Sequence, residues 1–152
     1  MRRIHVLLPF FALALLSMPF LVQAGGMGAV KADLDVAEVY YIGPPENPLT
    51  RTRPVGPTVG QVIFSPTASE KMNITVQIKN GAPDTTFEIY AIPPGSWAPD
   101  GDRQEVTLNK KGKATVHLQV QIPEPGMFIK VSMMTADESI AYCTEHILDF
   151  AD

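Results

Sequence analysis

The sequence predicts an all-β domain, an antiparallel β-sandwich of seven or eight strands. Three observations support this prediction. Apolar residues alternate with polar ones over most of the chain beyond residue 24, which is the period of a strand with one buried face. Turn residues (Gly, Pro, Asn, Asp) separate these segments at regular spacing. No segment beyond residue 24 has its apolar residues at the helical period.

The first 24 residues stand apart because they have the pattern of a secretory signal peptide. Arg2 and Arg3 precede the apolar run from Ile4 to Leu21, and the small residue Ala24 follows. We expect cleavage after Ala24, which leaves 25–152 as one exported domain with no membrane span. An uncleaved anchor is the alternative, since the run is nearly long enough to cross a bilayer.

The domain begins with a predicted strand from Val30 to Tyr41, and a second predicted strand runs from Gln61 to Ser65. Between them, segment 43–57 contains five prolines. Proline favours an extended, polyproline-like path and is excluded from sheet interiors. Our hypothesis is that the first strand lies on an extended arm that pairs with its own sheet or with a neighbour's. A long surface crossover is the alternative.

The remaining strands follow the same alternation. Met72, Ile74 and Val76 share one face of a strand whose other face is polar, and Asn80-Gly81 supplies the next turn. The last segment alternates less regularly, so we expect a bulge there. The predicted strands are Met72 to Lys79, Thr85 to Ile92, Arg103 to Leu108, Ala114 to Gln121, Met127 to Met133 and Ile140 to Phe150.

The stretches from Thr75 through Tyr90 and from Leu108 through Gly126 resemble, in their strand pattern, small immunoglobulin-like domains of prokaryotic envelope proteins. The resemblance implies an immunoglobulin-like or fibronectin-like sandwich in the cell envelope, and it implies no active site. An eight-stranded barrel is the alternative fold.

The charge balance argues against nucleic acid as a partner. The chain has 12 basic and 16 acidic residues, and loss of Arg2 and Arg3 with the signal leaves 10 basic residues and a formal charge of −6. Phosphate backbones are bound by clustered basic surfaces. The one such cluster, Lys110, Lys111 and Lys113, lies in a predicted hairpin turn.

Cys143 is the single cysteine, so the chain forms no internal disulfide. It is either buried as a small apolar residue or available for an intermolecular disulfide. Cys143 and His146 have a Cys-x-x-His spacing, with Glu145 and His117 as further ligand types. Residues three apart on a strand point to opposite faces, and a zinc site needs more ligands than this set brings together. We therefore predict no metal and no cofactor.

No motif predicts catalysis. The chain lacks a Gly-x-Ser-x-Gly elbow, and Asp100-Gly101-Asp102 is better read as a turn than as a calcium loop. We therefore expect a non-enzymatic protein. Asn73-Ile74-Thr75 is an N-glycosylation sequon, and the strand alternation points Asn73 outward.

Two functions fit these expectations. The first is a structural protein of the cell envelope that forms homo-oligomers or polymers, such as a surface layer, sheath or fibre. It would assemble by β-strand pairing or amyloid-like stacking, alone or with envelope partners. The alternative is a secreted module that binds a ligand or partner through loop 92–102. In that loop Trp97, Pro93 and Pro94 form a rigid contact platform.

Overall fold

A computed structural model of the chain describes residues 28–46, 49–67, 71–92, 103–121 and 129–145. These residues form eight antiparallel strands in one sheet, with the order β5-β4-β7-β8-β1-β2-β3-β6. The strands are β1 (Val30–Ile42), β2 (Leu49–Pro66), β3 (Lys71–Ile78), β4 (Thr86–Ile92), β5 (Gln104–Thr107), β6 (Ala114–Gln121), β7 (Lys130–Met134) and β8 (Ala141–Cys143).

The all-β, antiparallel prediction with eight strands is confirmed. The sheet is nearly barrel-shaped, so the two separate sheets of a sandwich are not confirmed, nor is an immunoglobulin-like fold. No backbone ladder joins the two end strands, β5 and β6. The curvature of the single sheet resembles the eight-stranded barrel that the sequence left as the alternative, but the described strands do not close into one, because β5 and β6 are not paired.

One hydrophobic core lies inside the curved sheet, and all eight strands border it. The predicted alternation on β3 is confirmed: Met72, Ile74 and Val76 are fully buried, while Asn73 faces solvent. Across the core, the rings of Phe87 and Tyr142 lie 5.1 Å apart between centroids. Burial of these apolar faces is the main force that holds the sheet in its curved form.

Two turns close one end of the barrel against each other. Gly112 has a φ of +67°, a left-handed conformation that favours glycine, and its carbonyl accepts a hydrogen bond from the Gly81 N–H at 2.9 Å. Beside them, the Ala82 N–H donates to the Tyr142 hydroxyl at 2.8 Å. The turns predicted at Asn80-Gly81 and at Asn109 to Lys113 are thus present, and they tie a core ring to the surface.

The proline-rich segment 43–57, for which the sequence predicts an extended path excluded from sheet interiors, belongs to a strand from Leu49 onward. Strand β2 starts there and pairs with β1, with Ile42 opposite Leu49 and Ala37 opposite Pro54. Strand β3 pairs only with Gly60–Pro66 of β2. The proline-bearing half of β2 therefore has a ladder on one side only, which is where a strand tolerates proline. The alternative, a long surface crossover between the first two predicted strands, is not observed, because β1 and β2 form an antiparallel hairpin.

Strands β1 and β2 bend sharply where their register shifts around Asp35. Strand β2 carries extra residues there, including Gly56, where a Cβ would lie 2.8 Å from the Val36 Cβ. Beyond the bend, 37–42 and 49–54 form a two-stranded ribbon, which we call the arm. The arm lies over the outer face of β4, β7 and β8, where Tyr90, Met134 and Ala141 form a second apolar cluster.

The arm explains a second departure from the predicted alternation. Every residue of β7 is buried, although a strand with one wet face would alternate. Val131 and Met133 face the main core, while Ser132 and Met134 face the arm. Strand β1 lies between β8 and β2. The predicted first strand, Val30 to Tyr41, therefore pairs with its own sheet in this structure.

Candidate functional site

A seam runs between β5 and β6. The two strands are consecutive in the chain, yet β5 pairs with β4 and β6 pairs with β3. One side chain bridges the seam: the Gln104 Nε2 donates to the His117 carbonyl at 3.0 Å. An amide side chain thus occupies a position that a closed barrel fills with a backbone ladder.

The hydrogen bond across the seam also shows how β6 is oriented. Backbone groups of successive residues on a strand point to alternate sides. Because the His117 carbonyl points away from β3, the backbone groups of Thr115, Gln119 and Gln121 point toward the seam as well. The N–H groups of these three residues have no hydrogen-bond partner within the described part of the chain.

Edges of natural sheets are usually protected by shortness, charge, proline or bulges. Strand β5 has only four residues and carries the exposed Glu105. The unpaired side of the arm carries Arg53, Pro54 and the register shifts. Strand β6 has eight residues in regular register and none of these features. It is the unprotected edge among the described strands.

An uncharged surface lies on the outer side of β3 between Lys71 and Lys79. It extends onto the neighbouring outward residues of β6 and of the half of β2 that pairs with β3. We call this surface the neutral face. It has three residues from β2, three from β3 and four from β6: Gln61, Ile63, Ser65, Asn73, Thr75, Gln77, Thr115, His117, Gln119 and Gln121.

A cleft of about 430 Å³ lies on the neutral face. Two cross-strand hydrogen bonds organise its floor: the Gln119 Nε2 donates to the Asn73 Oδ1 at 2.8 Å, and the Thr75 hydroxyl lies 3.1 Å from the His117 Nδ1. The cleft is lined by Ser65, Asn73, Ile74, Thr75, Gln104, His117, Leu118 and Gln119. No carboxylate, lysine or arginine lines it.

No family model, curated protein or solved structure matches this chain. The described residues contain no helix that is long and apolar enough to cross a membrane.

A buried polar cluster lies beneath the arm. The Thr52 and Ser132 hydroxyl oxygens are 2.8 Å apart, and the Lys130 Nζ donates to the Thr52 carbonyl. Cys143 lies directly opposite Ser132 in the β7–β8 ladder and is fully buried. Every buried polar side-chain atom in the described residues has a hydrogen-bond partner, so this cluster is a satisfied structural element.

Burial controls the titration of the two reactive groups in this cluster. It lowers the pKa of the Lys130 ammonium, while the nearby Cys143 opposes that change. It raises the pKa of the Cys143 thiol, while Lys130 opposes that change. A thiol with a raised pKa has less thiolate, which is the nucleophilic form. Two factors therefore lower the reactivity of Cys143: its sulfur is buried, and its raised pKa favours the protonated thiol.

Glu138 anchors the tip of the arm. Its backbone φ is 58°, a left-handed conformation that is uncommon for a residue other than glycine. Its carboxylate accepts hydrogen bonds from the Tyr41 hydroxyl and from the Thr50 hydroxyl at 3.3 Å. The bond from Tyr41, together with the charge of Glu138, raises the pKa of the Tyr41 phenol. The turn between β7 and β8 thus holds the arm in place.

The site residues predicted from the sequence have separate positions. Trp97, Pro93 and Pro94 lie outside the described residues, as does His146. Asn73 is exposed on β3, and its Oδ1 is bonded to Gln119. Cys143 is covered by the arm, so a disulfide to another chain requires the arm to move. No group of three or more metal-ligand side chains occurs in the described ranges.

Neither the seam nor the neutral face was predicted from the sequence. Their residues were already identified as the polar sides of predicted strands, but an alternating pattern does not say which strands are neighbours. Within the predicted strand Met72 to Lys79 only Lys79 at its end is charged, and the predicted strand Ala114 to Gln121 has no charged residue; this was the available signal.

Proposed function

We propose that this chain is an exported, non-enzymatic structural subunit of the cell envelope that assembles with further copies of itself through the edge of β6. The observation that carries the proposal is the unprotected state of that edge. Eight residues in regular register present backbone donors and acceptors toward the seam. An exposed edge of this kind is a template for pairing with another chain.

The distribution of charge supports the same proposal. After loss of Arg2 and Arg3 the exported chain has a formal charge of −6, so two copies repel each other least where their contact surfaces carry no charge. The residues on both faces of β6 are free of Asp, Glu, Lys and Arg. Neighbouring Asn and Gln side chains, such as Asn73 and Gln119, also match those that form ladders in stacked β-assemblies.

The proposal keeps an immunoglobulin-like sandwich as its finer description of the fold. Strands β5, β4, β7 and β8 would form one layer, and β2, β3 and β6 the other, with β1 at the bend between them. The seam supports this description, because no backbone ladder joins β5 to β6. The single core between the layers is also consistent with it.

Assembly is tested with a matched pair of variants at one position, in purified protein expressed from the full sequence. Gln119→Pro removes an N–H that points toward the seam, and Gln119→Thr keeps it. Both variants lose the bond from Gln119 to Asn73. We expect concentration-dependent assembly of the unmodified chain and of Gln119→Thr by sedimentation velocity over about a hundredfold concentration range. We expect a monomer for Gln119→Pro.

A second pair serves if the proline variant unfolds. Gln119→Lys adds a charge at the edge, and Gln77→Lys adds the same charge to the same face on the interior strand β3. We expect only the first to abolish assembly, because edge lysines block strand pairing. A chain that stays monomeric at every concentration would refute the proposal, and so would equal assembly of both lysine variants.

The binding module predicted as the alternative function remains a prediction. Its contact residues Trp97, Pro93 and Pro94 lie outside the described ranges.

A further inference from the structure

We propose that the cleft on the neutral face is a binding site for a neutral, polyhydroxylated ligand, namely a segment of an uncharged polysaccharide. This site differs from the proposed assembly contact: assembly uses backbone groups of β6 that point into the seam, whereas the cleft uses side chains on the outer face, and the two meet at Gln104. The inference therefore goes beyond assembly and does not depend on it.

The chemistry of the lining selects the class of ligand. A phosphate or carboxylate ligand is normally met by Arg or Lys, and a cation is met by carboxylates. Neither type lines the cleft. An apolar ligand requires a mostly apolar wall, whereas the outward side chains here are amides, hydroxyls and an imidazole. Sugar hydroxyls match such groups because each hydroxyl donates one hydrogen bond and accepts others.

The hydrogen bonds in the cleft floor leave the required groups available. Because Gln119 donates to the Asn73 Oδ1, the Asn73 amide nitrogen and the Gln119 Oε1 remain for a ligand. Because the His117 Nδ1 faces Thr75, the His117 Nε2 also remains. None of these three atoms has another partner in the described ranges. The floor thus presents a donor and an acceptor side by side, held in place before any ligand arrives.

Preorganisation and size both favour binding. Each amide or imidazole is already held by its neighbour on the adjacent strand, so less side-chain entropy is lost when a ligand binds. The volume of about 430 Å³ falls within the roughly 300–1,000 Å³ of small-molecule sites. Gln104 closes one side of the cleft and is tied to the His117 carbonyl.

The test uses neutral hexasaccharides of glucose and of N-acetylglucosamine as probes, in calorimetric titrations of protein expressed from the full sequence. We expect at least one probe to bind, with an affinity that changes less than about twofold when salt is raised, because no charges are paired. We expect His117→Ala and Asn73→Ala each to weaken binding by about tenfold, the effect of losing roughly one hydrogen bond.

Gln77→Ala is the matched control, since Gln77 lies on the same face of β3 but outside the cleft. Its affinity should equal that of the unmodified chain. Absence of binding by every neutral probe would overturn the proposal. Stronger, salt-sensitive binding of a polyanionic polysaccharide would also overturn it, as would equal weakening by all three variants. Assembly is measured by sedimentation without a saccharide and binding by titration of the unmodified chain, so each proposal fails separately.

Discussion

The hydroxyl oxygens of Thr52 and Ser132 lie 2.8 Å apart and join β2 to β7, which are three places apart in the sheet order. Only a ribbon folded back over the sheet brings these two strands together. The pair is buried, with Thr52 2% exposed. It therefore fastens the arm in a region where water does not replace a lost partner.

Ser132→Ala should lower the free energy of unfolding by about 1–3 kcal/mol, because it leaves the Thr52 hydroxyl buried without this partner. Thr107→Ala is the matched control: Thr86 and Thr107 form a hydroxyl pair of the same 2.8 Å length in an exposed position. Its cost should be below about 0.5 kcal/mol. Urea unfolding measures both, and equal costs would contradict a buried role for the first pair.

Gly56→Ala should destabilise the bend by about 1–3 kcal/mol, because the new Cβ would lie 2.8 Å from the Val36 Cβ. Val36→Ala keeps that Cβ but frees its surroundings, so the double variant should recover part of the loss. Gly60→Ala should be destabilising in a way that no side-chain truncation relieves, since its Cβ would overlap the backbone carbonyl oxygen of Gln77. Gly28→Ala meets no neighbour and should leave the thermal midpoint unchanged.

Asp137 should make stability fall in acid. Hydrogen bonds from the Thr135 hydroxyl and then from Ser139 lower its pKa to about 2. A folded-state pKa below the ordinary value stabilises the protein above about pH 4, and this contribution is lost as the pH falls toward about 2. Asp137→Asn should therefore lower the urea midpoint near neutral pH and have little effect near pH 2.

Asp33→Asn controls for the removal of an exposed charge, because the Asp33 carboxylate accepts no hydrogen bond from the described residues. We expect this variant to differ from the unmodified chain by a similar small amount at both pH values. A deficit of Asp137→Asn that is the same in acid as at neutral pH would show that the hydrogen bonds do not act through the carboxylate charge.

Cys143 should react with a thiol reagent at least about 100-fold more slowly in the native protein than in guanidinium, because the fully buried sulfur is reached only after local opening. Glu138→Gln weakens the anchor of Tyr41, so it should raise the native rate. Lys71→Gln removes an exposed charge on β3, which pairs only with the half of β2 outside the arm, and should leave the rate unchanged. A native rate near the unfolded one would refute the buried position.

The strands were predictable wherever one face is buried and the other is exposed to solvent. The alternation of β3 and β6 predicted which of their residues enter the core, because side chains on a strand point to opposite faces in turn. The same rule failed for β7, where both faces are covered. The proline-bearing half of β2 was not predicted as a strand, because only a one-sided ladder accommodates Pro54.

The sequence by itself determined the strand periodicity, the turns around Asn80-Gly81 and Asn109, and the polar identity of the outward residues. These properties are local, since each depends on side chains a few positions apart. Only the tertiary structure decided that β5 and β6 part at a seam, that the arm covers Cys143, and that uncharged residues of three strands form one face. Those relationships depend on which strands pair, and long-range pairing is selected by the burial of the whole core.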